Sequence, residues 1–421
     1  MHAKLIAGVA AIVLGASALA SAADTITIRM YGGYDLKTEQ SKVLDGYLRQ
    51  YEAAHPNVKV ENLGRNLDVD KLVNLFISGE APDIIEIDAK FLGQFYRSGL
   101  LAAVPPDVEQ QVKNVLFPAS VQFLTVAGHM IGIPGENQVT GLWYSRQALD
   151  AAGLGSLPKT VDELVADSKR LTKVAADGKL QEPGMALIAD WATNHLALAM
   201  LTADGGRVFD AAGNIALDAP PLRSTITRLS DWLNPTNLFF AKSGFDDDFV
   251  RGDVGFGFGY PWWLGGIKGN FKGDYNKNFA VTTFPGGAGF GTFHYGHGYG
   301  VNKNTKHPEE VWKLLSWLAL QPVDGVTPLG HVLAVVGSLP NVRQDITSAP
   351  FAEARPFYEG FIDNLQYAVN TPDWELADIG AAASEVAAGK SNPASAATEV
   401  LVKLKTAVDK ERDWEQSHTA Q

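Results

Sequence analysis

Apolar positions along this chain recur in two rhythms. Thr25 to Tyr31 (TITIRMY) alternates polar and apolar residues and stops at Gly32-Gly33, as a half-buried strand does. Leu36 to Tyr51 then places Val43, Leu44, Tyr47, Leu48 and Tyr51 at helical spacing. Pro56 to Glu61 reads as a second strand, Asp68 to Ile77 as a short helix and Pro82 to Asp88 as a third strand. The rhythm returns later. Val161 to Val174 is a helix with Thr160 at its N-cap; Met185 to Asp190 is a strand, followed by a helix through Leu201. A short hairpin joins Val208-Phe209 to Ile215–Leu217, and Pro220 to Leu233 is a helix. Val254 to Phe258 and Lys277 to Phe284 are strands; Pro308 to Leu320, Ala377 to Ala388 and Pro393 to Trp414 are helices. Strands alternating with helices predict an α/β fold with mostly parallel sheets covered on both faces. At 421 residues the chain exceeds one ordinary core, so two or more domains are expected.

The first residues change the picture of where the protein works. Lys4 precedes an unbroken apolar run, Leu5 to Leu14, and small residues lead to Ala20-Ser21-Ala22. This is the pattern of a cleaved secretory signal peptide, residues 1–22, and the run is too short to span a bilayer. The chain contains no cysteine, so there is neither a disulfide nor the cysteine of a lipoprotein anchor. The expected location is the periplasm. A net charge of −12 argues against nucleic acid or an anionic membrane surface as partner.

In open α/β sheets ligands bind beyond the carboxyl ends of the strands, so the residues that follow each strand are the candidates. After the first strand come Tyr31, Gly33 and Asp35; after the third, Glu86 and Asp88. Glu136, Asn137 and Gln138 follow Met130 to Pro134. Asp190, Trp191, Thr193, Asn194 and His195 follow the strand at Met185, and Tyr260, Trp262 and Trp263 follow that at Val254. The set is rich in aromatics, carboxylates and amides and poor in Lys and Arg. Carboxylates and amides take paired hydroxyls, and aromatic faces cover the C–H faces of sugar rings. A phosphate or carboxylate ligand would call for Arg, Lys or a helix N-terminus. A neutral sugar is therefore expected, and several tryptophans favour a di- or oligosaccharide.

Successive segments resemble family 1 extracellular solute-binding proteins, the maltose-binding-protein-like sugar receptors of ABC importers. PDIIEIDAKFLGQFYRSGLLAAV (Pro82 to Val104) is similar to their "PD-strand-D, then G-L-L" block. Gly128 to Leu171, Phe249 to Trp263, His297 to Leu318 and Gly337 to Asp345 resemble later blocks in order, with LWYSR carrying Ser145 where the family has Asn. The resemblance implies two lobes joined by hinge crossings, residues 23–136 with 297–345 and residues 137–296 with 346–421, which close on ligand. It further implies a ligand role for Tyr31, Gly33, Asp35, Asp88, Asn137, Gln138, Trp191, Thr193, Asn194, Trp262, Tyr260, Trp263, Tyr295, His297 and Trp374. It implies a carbohydrate ligand, a membrane permease with a separate ATPase subunit as partner, a monomer, no cofactor and no catalysis.

Competing motifs are weaker. Gly389-Lys390-Ser391 ends like a phosphate loop, but Ser384 stands where the first glycine belongs, and the stretch reads as a helix C-terminus. His294 and His297 lack a third metal ligand, and Asp246 to Asp248 lack the glycine and glutamate of a calcium loop. A receptor for a glycerol phosphate ester or polyamine is the alternative. A secreted glycosidase using Glu86 with Asp88, or Glu136 with Asp190, is a more distant one.

Overall fold

The computed structural model describes residues 25–418 except 66–68, 127, 188–190, 211–213, 243–248, 250–253, 272, 287–290 and 366–376. The leader segment, Asp190, Asp246 to Asp248 and Trp374 lie outside the described residues.

Among the described residues, fifteen strands follow the chain. They are β1 (Ile26–Tyr31), β2 (Val58–Gly64), β3 (Ile84–Asp88), β4 (Leu101–Ala102), β5 (Thr125–Val126), β6 (His129–Met130), β7 (Ile133–Val139), β8 (Gly141–Ser145), β9 (Lys173–Val174), β10 (Leu180–Glu182), β11 (Met185–Leu187), β12 (Phe240–Lys242), β13 (Phe256–Gly259), β14 (Phe279–Thr282) and β15 (His294–Asn302). Two sheets organise the molecule. The first runs β2-β1-β3-β15-β4, with β7 also on β15; the second runs β12-β11-β13-β8-β14. In the first, every strand points one way except β15; in the second, every strand points one way except β8. The fold is thus α/β and two-lobed, with a mostly parallel sheet in each lobe.

Strand chemistry explains the layering. In β3, Ile84 packs into one apolar cluster and Ile85 and Ile87 into another; in β8, Leu142 and Tyr144 face one cluster and Trp143 the opposite one. Both faces are buried, as parallel sheets require. Helices Glu39–Ala54, Pro308–Leu320 and Pro328–Val336 cover one face of the first sheet, and Ala89–Arg97 covers the other. Ala192–Ala203, Ala219–Trp232 and Ile379–Ala387 cover one face of the second, with Trp263–Asn270 and Arg355–Leu365 opposite.

The sequence-based elements recur with shifted ends. Thr160 caps its helix by accepting from the Glu163 N–H at 3.1 Å. That helix stops at Leu171, because Lys173–Val174 pairs with β10 in a surface ribbon. The expected strand at Lys277 starts two residues later, behind a helical turn capped by Asp274. Gly389 adopts φ 71° after the helix Ile379–Ala387, as a C-terminal glycine does. β2 extends to Gly64, three residues past the expected end, and this has a consequence at the site.

Candidate ligand-binding site

The carboxyl ends of β1, β2 and β3 bring together Gly33, Arg65, Glu86 and Asp88. Gly33 donates its N–H to Glu86 Oε2 at 2.8 Å, and Arg65 Nη2 donates to both Glu86 oxygens at 3.0 and 2.7 Å. The turn depends on Gly32. Its φ is 117°, and a Cβ there would stand 2.4 Å from the Glu86 Cβ, so no other residue fits. β15 supplies His297 opposite Asp88 in register, with Nδ1 at 2.9 Å from Glu86 Oε1 and 3.8 Å from Glu136 Oε2. Burial alone would raise the Glu86 carboxyl; the charges of Arg65 and His297 reverse that and hold it at about 2. Burial opposes charge on His297, yet the Glu86 and Glu136 carboxylates raise it above the ordinary histidine value.

A second group forms where β11 and β13 end. Trp191, at the start of helix Ala192–Ala203, is 50% exposed, and its ring lies 5.6 Å from Tyr260 at 22°. Tyr260 lies 5.8 Å from Trp262 at 6°, so three aromatic rings run nearly parallel. Tyr260 is fully buried and its hydroxyl lies 2.6 Å from His195 Nδ1; burial drives that imidazole down to about 3, so it is neutral.

β15 joins the two groups. Tyr295 and His297 alternate onto one face of the strand. Tyr295 packs edge-on against Tyr260 at 5.5 Å, and Glu136 and Asp88 of the first lobe act electrostatically on it. Lys90, at the start of helix Ala89–Arg97, similarly depresses His195 across the gap. An aromatic wall from the second lobe and a charged wall from the first therefore meet along β15.

Not every expected residue reaches these walls. Trp263 is wholly buried, its ring laid over Gly257 and Gly259 and against Trp143, because β13 has no side chains there to hold it off. Tyr31 is 1% exposed within the first-lobe core. Asp35 is exposed and accepts the Lys37 N–H, within the turn before the first helix. Asp88 does reach the charged wall, where one carboxylate oxygen is used to cap its own helix through the Lys90 N–H. Asn137 and Gln138 are buried in the crossing itself. Asn137 donates to Ser120 at 2.7 Å and meets His294 Nε2 at 3.0 Å; Gln138 donates to Glu136 and to Ser338 at 2.6 and 2.9 Å. Thr193 is buried, and Asn194 accepts the Gly380 N–H at 3.0 Å, bracing a neighbouring helix.

Arg65 and Lys90, neither of them among the expected residues, also stand at the charged wall. The signal for Arg65 was the reach of β2: ending that strand at Glu61 hides the residue that follows Gly64. Among the described residues, no group of three or more His, Cys, Asp or Glu could hold a metal ion.

Residues 35–323 match the family described as bacterial extracellular solute-binding proteins. The chain belongs to that family. A Brucella abortus protein named as a binding protein is 22% identical over 315 residues, 72% of this chain and 74% of its own. The sugar-binding protein MalE of Xanthomonas citri superposes with a TM-score of 0.73 at 19% identity, covering 93% of this chain and 99% of that one. An ABC substrate-binding protein of Listeria monocytogenes, in complex with cycloalternan, superposes at 0.72 with 18% identity over 92% of this chain and 100% of its own. The two solved structures agree on the fold, an α/β chain of two lobes.

Proposed function

We propose that this solute-binding protein captures a neutral sugar, a disaccharide or longer, between the two walls and delivers it to the permease of an ABC importer. One observation carries the reading: a half-exposed Trp191 and a partly exposed Trp262 flank the buried Tyr260 in near-parallel planes, and β15 links this group through Tyr295 and His297 to the Glu86–Arg65 cluster. Aromatic faces suit the C–H faces of pyranose rings, and the opposing polar groups suit their hydroxyls. Both similar structures of sugar-binding or saccharide-bound proteins support it. The cations do not force an anionic ligand, because the Arg65 charge is met by Glu86 at 2.7 Å.

The lobes are taken as residues 23–136 with 297–345 and 137–296 with 346–421. The breaks at 136/137 and 296/297 fall inside β7 and β15, which pair with each other through Asn137↔Gly296 and Glu136↔His297. We read this ladder, with the Ser338 stretch bonded to Gln138, as the hinge. Closure on ligand would be a population shift that only differential contacts in the closed form can drive. Export through the leader, residence in the periplasm and a monomeric state belong to the same reading. Catalysis does not, in keeping with a family described as solute-binding proteins.

A thermal-shift screen tests the proposal. A neutral oligosaccharide is expected to raise the melting temperature, and to do so far less in Trp191→Ala. A response confined to polyamines or glycerol phosphate esters would replace the sugar, and turnover of any glycoside would replace the receptor.

A further inference from the structure

His297 Nδ1 is placed between two partners of opposite kind. It lies 2.9 Å from Glu86 Oε1, which only accepts, and 2.7 Å from Arg65 Nη2, which only donates. One ring nitrogen satisfies one of them at a time. Carrying a hydrogen, it donates to Glu86 and turns a like-signed N–H toward Arg65. Bare, it accepts from Arg65 and sets its lone pair against the carboxylate. The neutral ring can take either arrangement according to its tautomer, whereas the doubly protonated ring is confined to the first, so protonation fixes the cluster with His297 donating to Glu86.

The Arg65 side chain is 37% exposed, and its side-chain hydrogen bonds to described residues all run through Nη2. Glu86 has further support from the Gly33 N–H, so it stays in place whichever cation it holds. Of the three, Arg65 is the one free to move. It also stands at the carboxyl end of β2, on the charged wall assigned to the ligand.

We propose that His297 is a proton-operated positioning residue for Arg65. Doubly protonated, the imidazole takes over Glu86 and releases the Nη2 edge of Arg65 to ligand oxygens; neutral, in its accepting tautomer, it holds that edge back. The inference rests on the cleft reading above. The charges around the ring fix the sign. β3 contributes Glu86 and Asp88, β7 contributes Glu136, Arg65 follows β2, Tyr34 follows β1 beside the same carboxylates, and Tyr295 and Tyr299 share the strand. Among the charges that act on the ring, the Glu86 and Glu136 carboxylates outweigh the Arg65 guanidinium and favour a second positive charge, in line with the raised titration of His297. Affinity is then greatest below that raised value and falls as pH rises through it. Ligand binding takes up protons.

The released donors would meet a wall that is still anionic overall. That selects adjacent hydroxyls over a carboxylate, so a neutral saccharide should bind and a uronate should not.

The test is calorimetric titration of the mature protein with maltotriose, with mannobiose and with trigalacturonate, between about pH 5.5 and pH 8.5, the window of a histidine switch. For a neutral saccharide the association constant should rise roughly threefold to tenfold toward acid, the size of a bound-state shift of half to one pKa unit. His297→Asn should flatten the profile. Arg65→Gln should weaken binding and flatten it as well, since nothing is left for His297 to release. A pH slope that survives in Arg65→Gln, or a flat wild-type profile, overturns the proposal and leaves the sugar reading standing. Binding of trigalacturonate alone overturns the charge argument. Should no saccharide bind, the sugar reading falls, and nitrogen-15 NMR of the ligand-free protein decides the switch separately. The Arg65 side-chain signals should change environment as His297 titrates in wild type and not in His297→Asn; signals indifferent to that titration overturn the switch.

Discussion

Trp191 and Trp263 both lie just beyond a strand of the second sheet, and sequence gives them the same standing. Their surroundings separate them. Trp191 is half-exposed at a helix start, while Trp263 lies flat over two glycines of β13. Trp191→Ala should therefore leave stability nearly unchanged and cost about 1–3 kcal/mol of ligand affinity, the scale of covering one aromatic face. Trp263→Ala should cost about 3–5 kcal/mol of stability through the cavity it leaves. Denaturant melts beside calorimetric titrations separate the two. Glu86 makes a further prediction. Its folded carboxyl is depressed from 4.5 to about 2, so its contribution is complete above about pH 4.5 and lost as pH falls toward 2. That contribution is on the order of 3 kcal/mol. Glu86→Gln should remove this acid limb from the stability curve, and a melt series from neutral pH to pH 3 reads it directly. No periodicity announces this carboxylate, because its partners stand 21 and 211 positions away in sequence.

At the scale of elements, the parallel strands and amphipathic helices were legible because alternation and helical spacing are local signals. The long β15 was not. HYGHGYGVN carries glycine at every second position, which hides its alternation, and those glycines exist because Gly296 and Gly298 lie against Glu136, Phe123, Leu92 and Leu124. Only family resemblance marked it as a crossing. The helices Trp263–Asn270 and Pro328–Val336 escaped too: Gly265, Gly266 and Gly269 interrupt the first, and most of the second is buried, so apolar residues occupy more than one of its faces. The crossing has its own test. Asn137 is fully buried with Ser120 on one side and His294 on the other. Asn137→Ala orphans two polar groups and should destabilise the protein by roughly 1–3 kcal/mol for each group left unpaired. A change in affinity without a change in stability would instead make Asn137 a ligand contact.

Over the whole molecule, each sheet has a single reversed strand, and the reversed strand of the first sheet, β15, carries Tyr295 and His297 to the junction of the walls. A site at the strand ends, as proposed for the ligand, was legible from the α/β pattern alone. Which side chains form it was not, since that depends on where β2 ends and on which tryptophan turns inward. If the β7–β15 ladder is the hinge, ligand should shrink the radius of gyration measured by small-angle scattering, and an unchanged radius at saturation would place the ligand away from the interlobe gap. The most direct measurement of the central claim is calorimetric titration of wild type and of the Trp191→Ala, Trp262→Ala double variant with a panel of neutral oligosaccharides. The account predicts saturable one-to-one binding of at least one saccharide by wild type and its loss in a double variant that melts normally. Undiminished binding in the double variant would contradict it.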